Sequence, residues 1–246
     1  MQTRLINRQK RVEGAVLAAS QQPGTGAWLP LFVWLLTEAV IIFTTACVTS
    51  SPLVVPPGEI LNFRGQASFY FKSPEQQGRC RLNFFFETPV ARARLEVLNP
   101  LGGLESILWL SGESATLYLT SERLVWQGTT SFLLSEFLGG QISVEDLSRL
   151  LTGQVARLGG SWEITGETSG RAISGRKADL SFELKDYFSG NQVPRTIIFQ
   201  TESYLARLRL SKIKFNQDSK TELFRPSFPA GAREVSWQEL STLWKK

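Results

Sequence analysis

Asn62-Phe63-Arg64-Gly65-Gln66-Ala67-Ser68-Phe69-Tyr70-Phe71-Lys72, followed after Ser73-Pro74-Glu75-Gln76-Gln77-Gly78 by Arg79-Cys80-Arg81-Leu82-Asn83-Phe84-Phe85-Phe86-Glu87, is the stretch that decides the fold. Phe63, Gly65, Ala67, Phe69 and Phe71 alternate with Arg64, Gln66, Ser68, Tyr70 and Lys72. Successive side chains on a strand point to opposite faces, so period two predicts a strand with one apolar face. The second run puts Cys80, Leu82, Phe84 and Phe86 on one face and Arg79, Arg81, Asn83 and Glu87 on the other. A Pro/Gly-bearing turn joins the two, and Thr88-Pro89 ends the second. Ala91, Ala93, Leu95 and Val97 then alternate with Arg92, Arg94 and Glu96, which extends an antiparallel meander.

Working outward, further strands are predicted at 104–110, 115–120, 123–127, 161–166, 171–175, 178–186, 194–201, 204–216 and 222–225. About a dozen strands with few helices favours one sheet that curls or closes. Helices are predicted only at Ser131–Leu138 and Ser143–Leu151, the second opening with a capping-box-like Ser143-Val144-Glu145-Asp146 and stopped by Gly153. Their apolar stripes suit a lid over the concave face of the sheet. The expected fold is mainly β: a curled antiparallel sheet forming an incomplete β-barrel, with a short helical lid (131–153) over a hydrophobic cavity. The cavity lining expected from alternation is Phe69 and Phe71, then Leu82, Phe84 and Phe86, then Leu95 and Val97. Leu108, Leu117, Leu119 and Trp126 continue it, and Leu134, Phe137, Leu147 and Leu150 come from the lid. A register slip of one residue would turn any strand's set outward.

Composition narrows the chemistry. The chain has 246 residues, 27 Lys and Arg against 22 Asp and Glu, two cysteines and no histidine. Without histidine there is no Ser-His-Asp or Cys-His nucleophile system, no His metal ligand and no His proton shuttle. Two cysteines cannot build a four-thiolate zinc site. A net charge of +5 is too mild to argue for nucleic acid. Neither a metal nor a cofactor is expected. Acidic groups such as Glu163/Glu167 and Asp179/Glu183/Asp186 read as solvated strand faces rather than glycosidase pairs.

The N-terminus reads as an export signal. Arg4, Arg8, Lys10 and Arg11 precede a run from Ala27 to Ala46 that is strongly apolar and ends Thr44-Thr45-Ala46-Cys47. Basic head, apolar run and small residues make a secretory signal, and a cysteine directly after them suggests lipidation at Cys47. An uncleaved membrane anchor is the alternative, since about 20 apolar residues span a bilayer. Glu38 within the run and Thr44 where leucine is usual count against the lipidated reading, which is nevertheless favoured. The expected organisation is a signal at 1–46, a tether at 47–60, a barrel with lid at 61–218, and a strand and short amphipathic helix at 219–246. With Cys47 lipidated, Cys80 has no partner and reads as a small buried apolar residue. Trp237, Leu240, Leu243 and Trp244 fall at helical spacing and are expected to pack on the barrel.

Asn99-Pro100-Leu101-Gly102-Gly103 predicts a tight turn with a leucine at its tip. Folding back onto the core is the ordinary fate of such a leucine.

Thr45-Ala46-Cys47, Arg64-Gly65 opening a strand, Leu95-Glu96-Val97-Leu98-Asn99-Pro100-Leu101-Gly102, and Ile142 to Gly153 with its Leu-Leu-Thr-Gly ending follow one another in an order that resembles the LolB family of outer-membrane lipoprotein receptors. Leu223-Phe224-Arg225-Pro226-Ser227-Phe228-Pro229-Ala230-Gly231 resembles the wider superfamily of periplasmic lipoprotein carriers and lipid-binding lipoproteins. The resemblance implies a cavity that accepts lipoprotein acyl chains from a periplasmic lipoprotein carrier. It implies a projecting turn, Pro100-Leu101-Gly102, that dips into outer-membrane lipids, and a Cys47 anchor on the periplasmic face of the outer membrane. Val48, in place of Asp, implies release to that membrane under the enteric sorting rule. A monomer is expected. The competing readings are a lipoprotein binding another lipid or glycolipid, and an assembly lipoprotein without lipid cargo. The rows Arg79/Arg81/Arg92/Arg94 are expected on a solvated face, with docking to an acidic carrier or headgroups as the functional option.

Overall fold

The computed structural model describes residues 52–166, 173–190, 192–218 and 220–244. The export signal, Cys47, Val48 and Glu167 lie outside the described residues, as do the side chains of Leu243 and Trp244.

Among the described residues twelve strands form one sheet in the order β12-β6-β5-β4-β3-β2-β1-β11-β10-β9-β8-β7. The meander is β1 (Asn62–Lys72), β2 (Gln77–Glu87), β3 (Arg92–Leu98), β4 (Leu104–Ser111), β5 (Ser114–Leu119) and β6 (Leu124–Thr129). After the helices come β7 (Glu163–Thr165), β8 (Ile173–Lys177), β9 (Leu180–Tyr187), β10 (Pro194–Gln200), β11 (Leu205–Phe215) and β12 (Arg233–Glu234). β1 joins the two halves by pairing with β2 on one side and β11 on the other. All pairs are antiparallel except β12 with β6. The sheet does not close. Its two edges are its shortest strands, which leaves little unpaired backbone for another chain to extend.

The predicted inward faces of β1 to β3 hold: Phe63, Ala67, Phe69, Phe84, Phe86, Ala93 and Val97 are buried. Beside Ala67 a β-bulge shifts the register by one residue, leaving Ser211 opposite the Gln66–Ala67 step, where its hydroxyl donates to the Gln66 carbonyl at 3.1 Å. Without this shift Leu208 and Leu210 would not share the inner face with Ile213.

Two helices cover the concave face. α1 (Thr130–Leu138) is capped by Thr129, whose hydroxyl accepts from the Phe132 amide. α2 (Val144–Thr152) is capped by Ser143, accepting from the Asp146 amide at 3.0 Å, and ends at Gly153. Asp146 itself is buried and accepts from the Trp162 indole at 3.0 Å, fastening α2 to the segment before β7. α3 (Trp237–Trp244) lies over β6 and sends Leu240 into the same core. Inner strand faces and helices thus share one hydrophobic cluster, the curled sheet with a helical lid that the sequence predicts.

The C-terminal region departs from expectation. Residues 222–225 are no strand: Thr221–Phe224 is a 3₁₀ turn lying on the outer face of β3 and β4. The cause is in β4, where Ile107-Leu108-Trp109-Leu110 is buried on both faces. Ile107, Trp109, Tyr118 and Val125 form a second cluster on the outer face, covered by Phe228 and Ala232. The Trp109 indole and Arg94 both donate to the Leu223 carbonyl, and Arg92 stacks on Phe224. Arg92 and Arg94 are therefore covered, not solvated as predicted.

Candidate functional site

Between sheet and lid lies a cavity of about 380 Å³, within the usual range of small-ligand sites. Its floor is Phe69 and Phe71 of β1, Cys80 and Leu82 of β2, Leu95 and Val97 of β3, and Ser106 and Leu108 of β4. Phe86, Leu119 and Leu208 complete the floor, and Leu134, Phe137, Leu138, Leu147 and Leu151 form the roof. The alternation of the strands explains the floor. The lid explains the roof, because Leu134/Leu138 and Leu147/Leu151 recur at helical spacing four residues apart.

Eleven of the fifteen side chains expected from sequence line this cavity: Phe69, Phe71, Leu82, Phe86, Leu95, Val97, Leu108, Leu119, Leu134, Phe137 and Leu147. Four do not. Phe84 occupies the space above Gly65, where its ring lies 2.4 Å from a would-be Cβ, and packs against Phe63 and Phe86. Trp126 fills the space above Gly128 and is covered by Phe132 and Trp237. Leu117 and Leu150 are fully enclosed in the packed layer beside the cavity. A sequence pattern assigns a face but not a depth, so it cannot separate a wall from the packing behind it.

The expected lining omits Cys80, Leu138 and Leu151, which lie on the same strand and helix faces as its members, and the polar or distant Ser106, Tyr204, Leu208, Trp237 and Ser241. Tyr204, in the β10–β11 turn, donates its hydroxyl to the Phe137 carbonyl at 3.0 Å and stacks on Phe71. It thereby ties the end of α1 to the floor. Burial, and then the nearby Glu136 carboxylate, push its hydroxyl up to about 12, so it stays a donor throughout the physiological range.

The mouth lies at one end of the sheet, where the turns after β1, β3, β5 and β10 gather. The polar rim is Gln76, Arg79, Glu105, Ser121, Glu122 and Glu136. The turn after β3 stands at this end. The Gly102 amide donates to the Asn99 carbonyl, and the Gly103 amide donates to the Asn99 side-chain oxygen at 2.8 Å. Pro100 sets the first corner, and Leu101 keeps a negative φ while Gly102 takes +87°. Leu101 does not fold back. It is 97% exposed, the most exposed large apolar residue described.

Cys80 is half-buried on the cavity floor. Burial first, then the Glu105 carboxylate, push its thiol up to about 12. At pH 8 the thiolate fraction falls roughly a thousandfold below that of a free cysteine, so maleimide labelling of Cys80 should be slower by about that factor. Labelling at the rate of a free thiol would show that the cavity floor is open to water.

On the convex side, Arg81 and, where this face meets the mouth end, Arg79 share the outer face of β2, β1 and β11 with Arg64, Arg207, Arg209, Lys212 and Lys214. None of these seven is ion-paired among the described residues. The carboxylates weighed for catalysis do not converge: Glu183 pairs with Lys185 at 2.8 Å, Asp186 accepts from Thr196, and Glu163 is exposed. No cluster of potential metal ligands occurs among the described residues.

No protein-family model matches the chain, and no curated protein matches it. Among solved structures, a LolA superfamily protein from Nitrosomonas europaea is 12% identical with a TM-score of 0.44, over 67% of this chain and 90% of its own. A conserved protein from Thermus thermophilus is 16% identical with a TM-score of 0.41, over 71% and 89%. A putative outer membrane lipoprotein-sorting protein domain from Vibrio parahaemolyticus is 10% identical with a TM-score of 0.40, over 66% and 88%. TM-scores this low carry no functional weight.

Proposed function

We propose that this protein accepts the acyl chains of a lipoprotein in its lidded cavity and delivers them to the outer membrane in which Cys47 anchors it. The observation that carries the reading is the pairing of an apolar cavity with a leucine held 97% exposed on a hydrogen-bonded turn at the mouth end. Burying hydrocarbon is worth roughly 0.8 kcal/mol per CH₂, so an acyl chain is held without any nucleotide or metal. Transfer runs from a carrier of lower affinity to this cavity, and then to the bilayer. An exposed leucine that enters lipid gains about 1.5–3 kcal/mol, enough to hold the mouth against the membrane while the chain leaves. The unpaired cations of the convex face support the same reading, since they favour an anionic headgroup layer or an acidic carrier.

Leu101→Glu tests the delivery step. Leu101 contacts almost nothing, so stability should change by less than about 0.5 kcal/mol. Acyl-ligand binding should remain within about twofold, while transfer of an acylated lipoprotein to vesicles should fall by about tenfold or more. Unimpaired transfer by the folded variant would refute the role of the turn.

A further inference from the structure

Two polar places in the largely apolar lining of the cavity define the polar end of its ligand. The first is Ser106. Its side chain lies on the inner face of β4, one residue in from the rim, and is 1% exposed. Ser106 lines the cavity, and its buried hydroxyl has no hydrogen-bond partner among the described residues. A buried hydroxyl without a partner is unfavourable, and an apolar ligand would leave it so. A ligand carrying an acceptor at that depth would satisfy it. The carbonyl at the head of an acyl chain is such an acceptor.

The second place is the rim. Its charged members are Glu105, Glu122 and Glu136 against Arg79 alone. None of the three carboxylates is paired with a cation among the described residues; Glu122 accepts only from the Ser121 hydroxyl, at 2.6 Å. Three like charges at an apolar mouth repel one another and an anionic head, and attract a cationic one. The excess of acid here is opposite in sign to the net charge of the chain and to its cationic convex face.

We infer that the cavity selects acyl esters or amides whose polar end carries a positive charge, with Ser106 donating to the acyl carbonyl and Glu105, Glu122 and Glu136 facing the cation. The inference rests on the acyl-cavity reading and narrows it. Free fatty acids and anionic lipids are disfavoured, whereas amine-bearing acyl compounds, among them an acylated peptide with basic residues near its lipid, are favoured.

The test titrates the full-length protein, below the micelle concentration, with probes that share one lauroyl group. They are lauroylglycerol (uncharged), lauroylcholine (cationic) and lauroylglycine (anionic). Lauroylcholine should bind about tenfold more tightly than lauroylglycine at low salt, and the ratio should shrink as salt is raised. In the Glu105→Gln/Glu122→Gln/Glu136→Gln variant the ratio should fall to within about twofold, with lauroylglycerol unaffected. Ser106→Ala should weaken lauroylcholine several-fold and leave dodecyltrimethylammonium, which has no carbonyl, unchanged. A ratio near one in the wild type, or one that survives the triple substitution, overturns the selectivity while lauroylglycerol binding keeps the cavity reading. Absence of lauroylglycerol binding removes both. Equal losses of both cationic probes in Ser106→Ala overturn the carbonyl contact.

Discussion

Gly153→Ala should destabilise the domain by about 3 kcal/mol, where the same change at Gly102 should cost about 1 kcal/mol. Both glycines have left-handed backbones, with φ of +77° and +87°. A Cβ in that region costs about 1–2 kcal/mol at either site. The surroundings make the difference. At Gly102 a Cβ would meet nothing within 4 Å, whereas at Gly153 it would lie 1.9 Å from the Gln192 carbonyl oxygen. That oxygen belongs to backbone leading into β10, so the end of α2 or the strand must move, adding about 1–3 kcal/mol. For a domain of this size the Gly153 loss appears as a fall of roughly 6–12 °C in Tm, against about 2–4 °C for Gly102. Thermal unfolding of the two variants side by side checks the contact between lid and sheet. Equal losses would mean that α2 does not press on the segment before β10. Loosening there opens the roof, because Leu147 and Leu151 sit on the same helix, so acyl-ligand affinity should drop in Gly153→Ala and hold in Gly102→Ala.

How much of this was legible in the sequence follows from the range of each signal. Alternation in β1 to β3 is local, and it placed Phe69, Leu82, Leu95 and their neighbours on one face correctly. The caps at Ser143 and Gly153 are local too, and α2 starts and stops there. The continuous run Ile107-Leu108-Trp109-Leu110 carried a further message that alternation hides, namely that both faces of β4 are buried. The cover comes from residues more than a hundred positions later, the Phe224–Ala232 region. A distant segment of that kind has no pattern of its own, so 222–225 looked like a strand and the two-residue β12 was invisible. The same limit applies at the site. Ser106 and Tyr204 are single polar residues whose meaning comes from neighbours distant in sequence, such as Phe137 across the lid. Leu101 is the opposite case: its turn chemistry is local, but whether its side chain returns to the core depends on how far β3 and β4 project, and no local rule supplies that.

Filling the cavity from its floor separates an acyl site from a loosely packed core. Leu82 and Leu95 both line the cavity, and Leu82 sits in register between Ala67 and Val97, which leave room above it. Leu82→Trp/Leu95→Trp should displace roughly three or four methylene groups of ligand, a loss near 3 kcal/mol at ~0.8 kcal/mol each. Lauroylglycerol affinity should therefore fall by about a hundredfold or more. The stability change has the informative sign. Extra atoms forced into a packed interior cost about 1–3 kcal/mol, whereas atoms added to empty apolar space gain contacts that were missing. The double variant should keep or raise its Tm. Leu117→Phe, which enlarges a residue with no exposure in the layer beside the cavity, should lose several degrees and leave binding nearly unchanged. A fall in Tm for both would mean that the space beneath the lid is already filled by its own side chains, and the acyl site with it would be lost. A held Tm with abolished binding would instead tie the affinity to that volume, because nothing else about the mouth, the rim or the Leu101 turn is altered by substitutions on the floor.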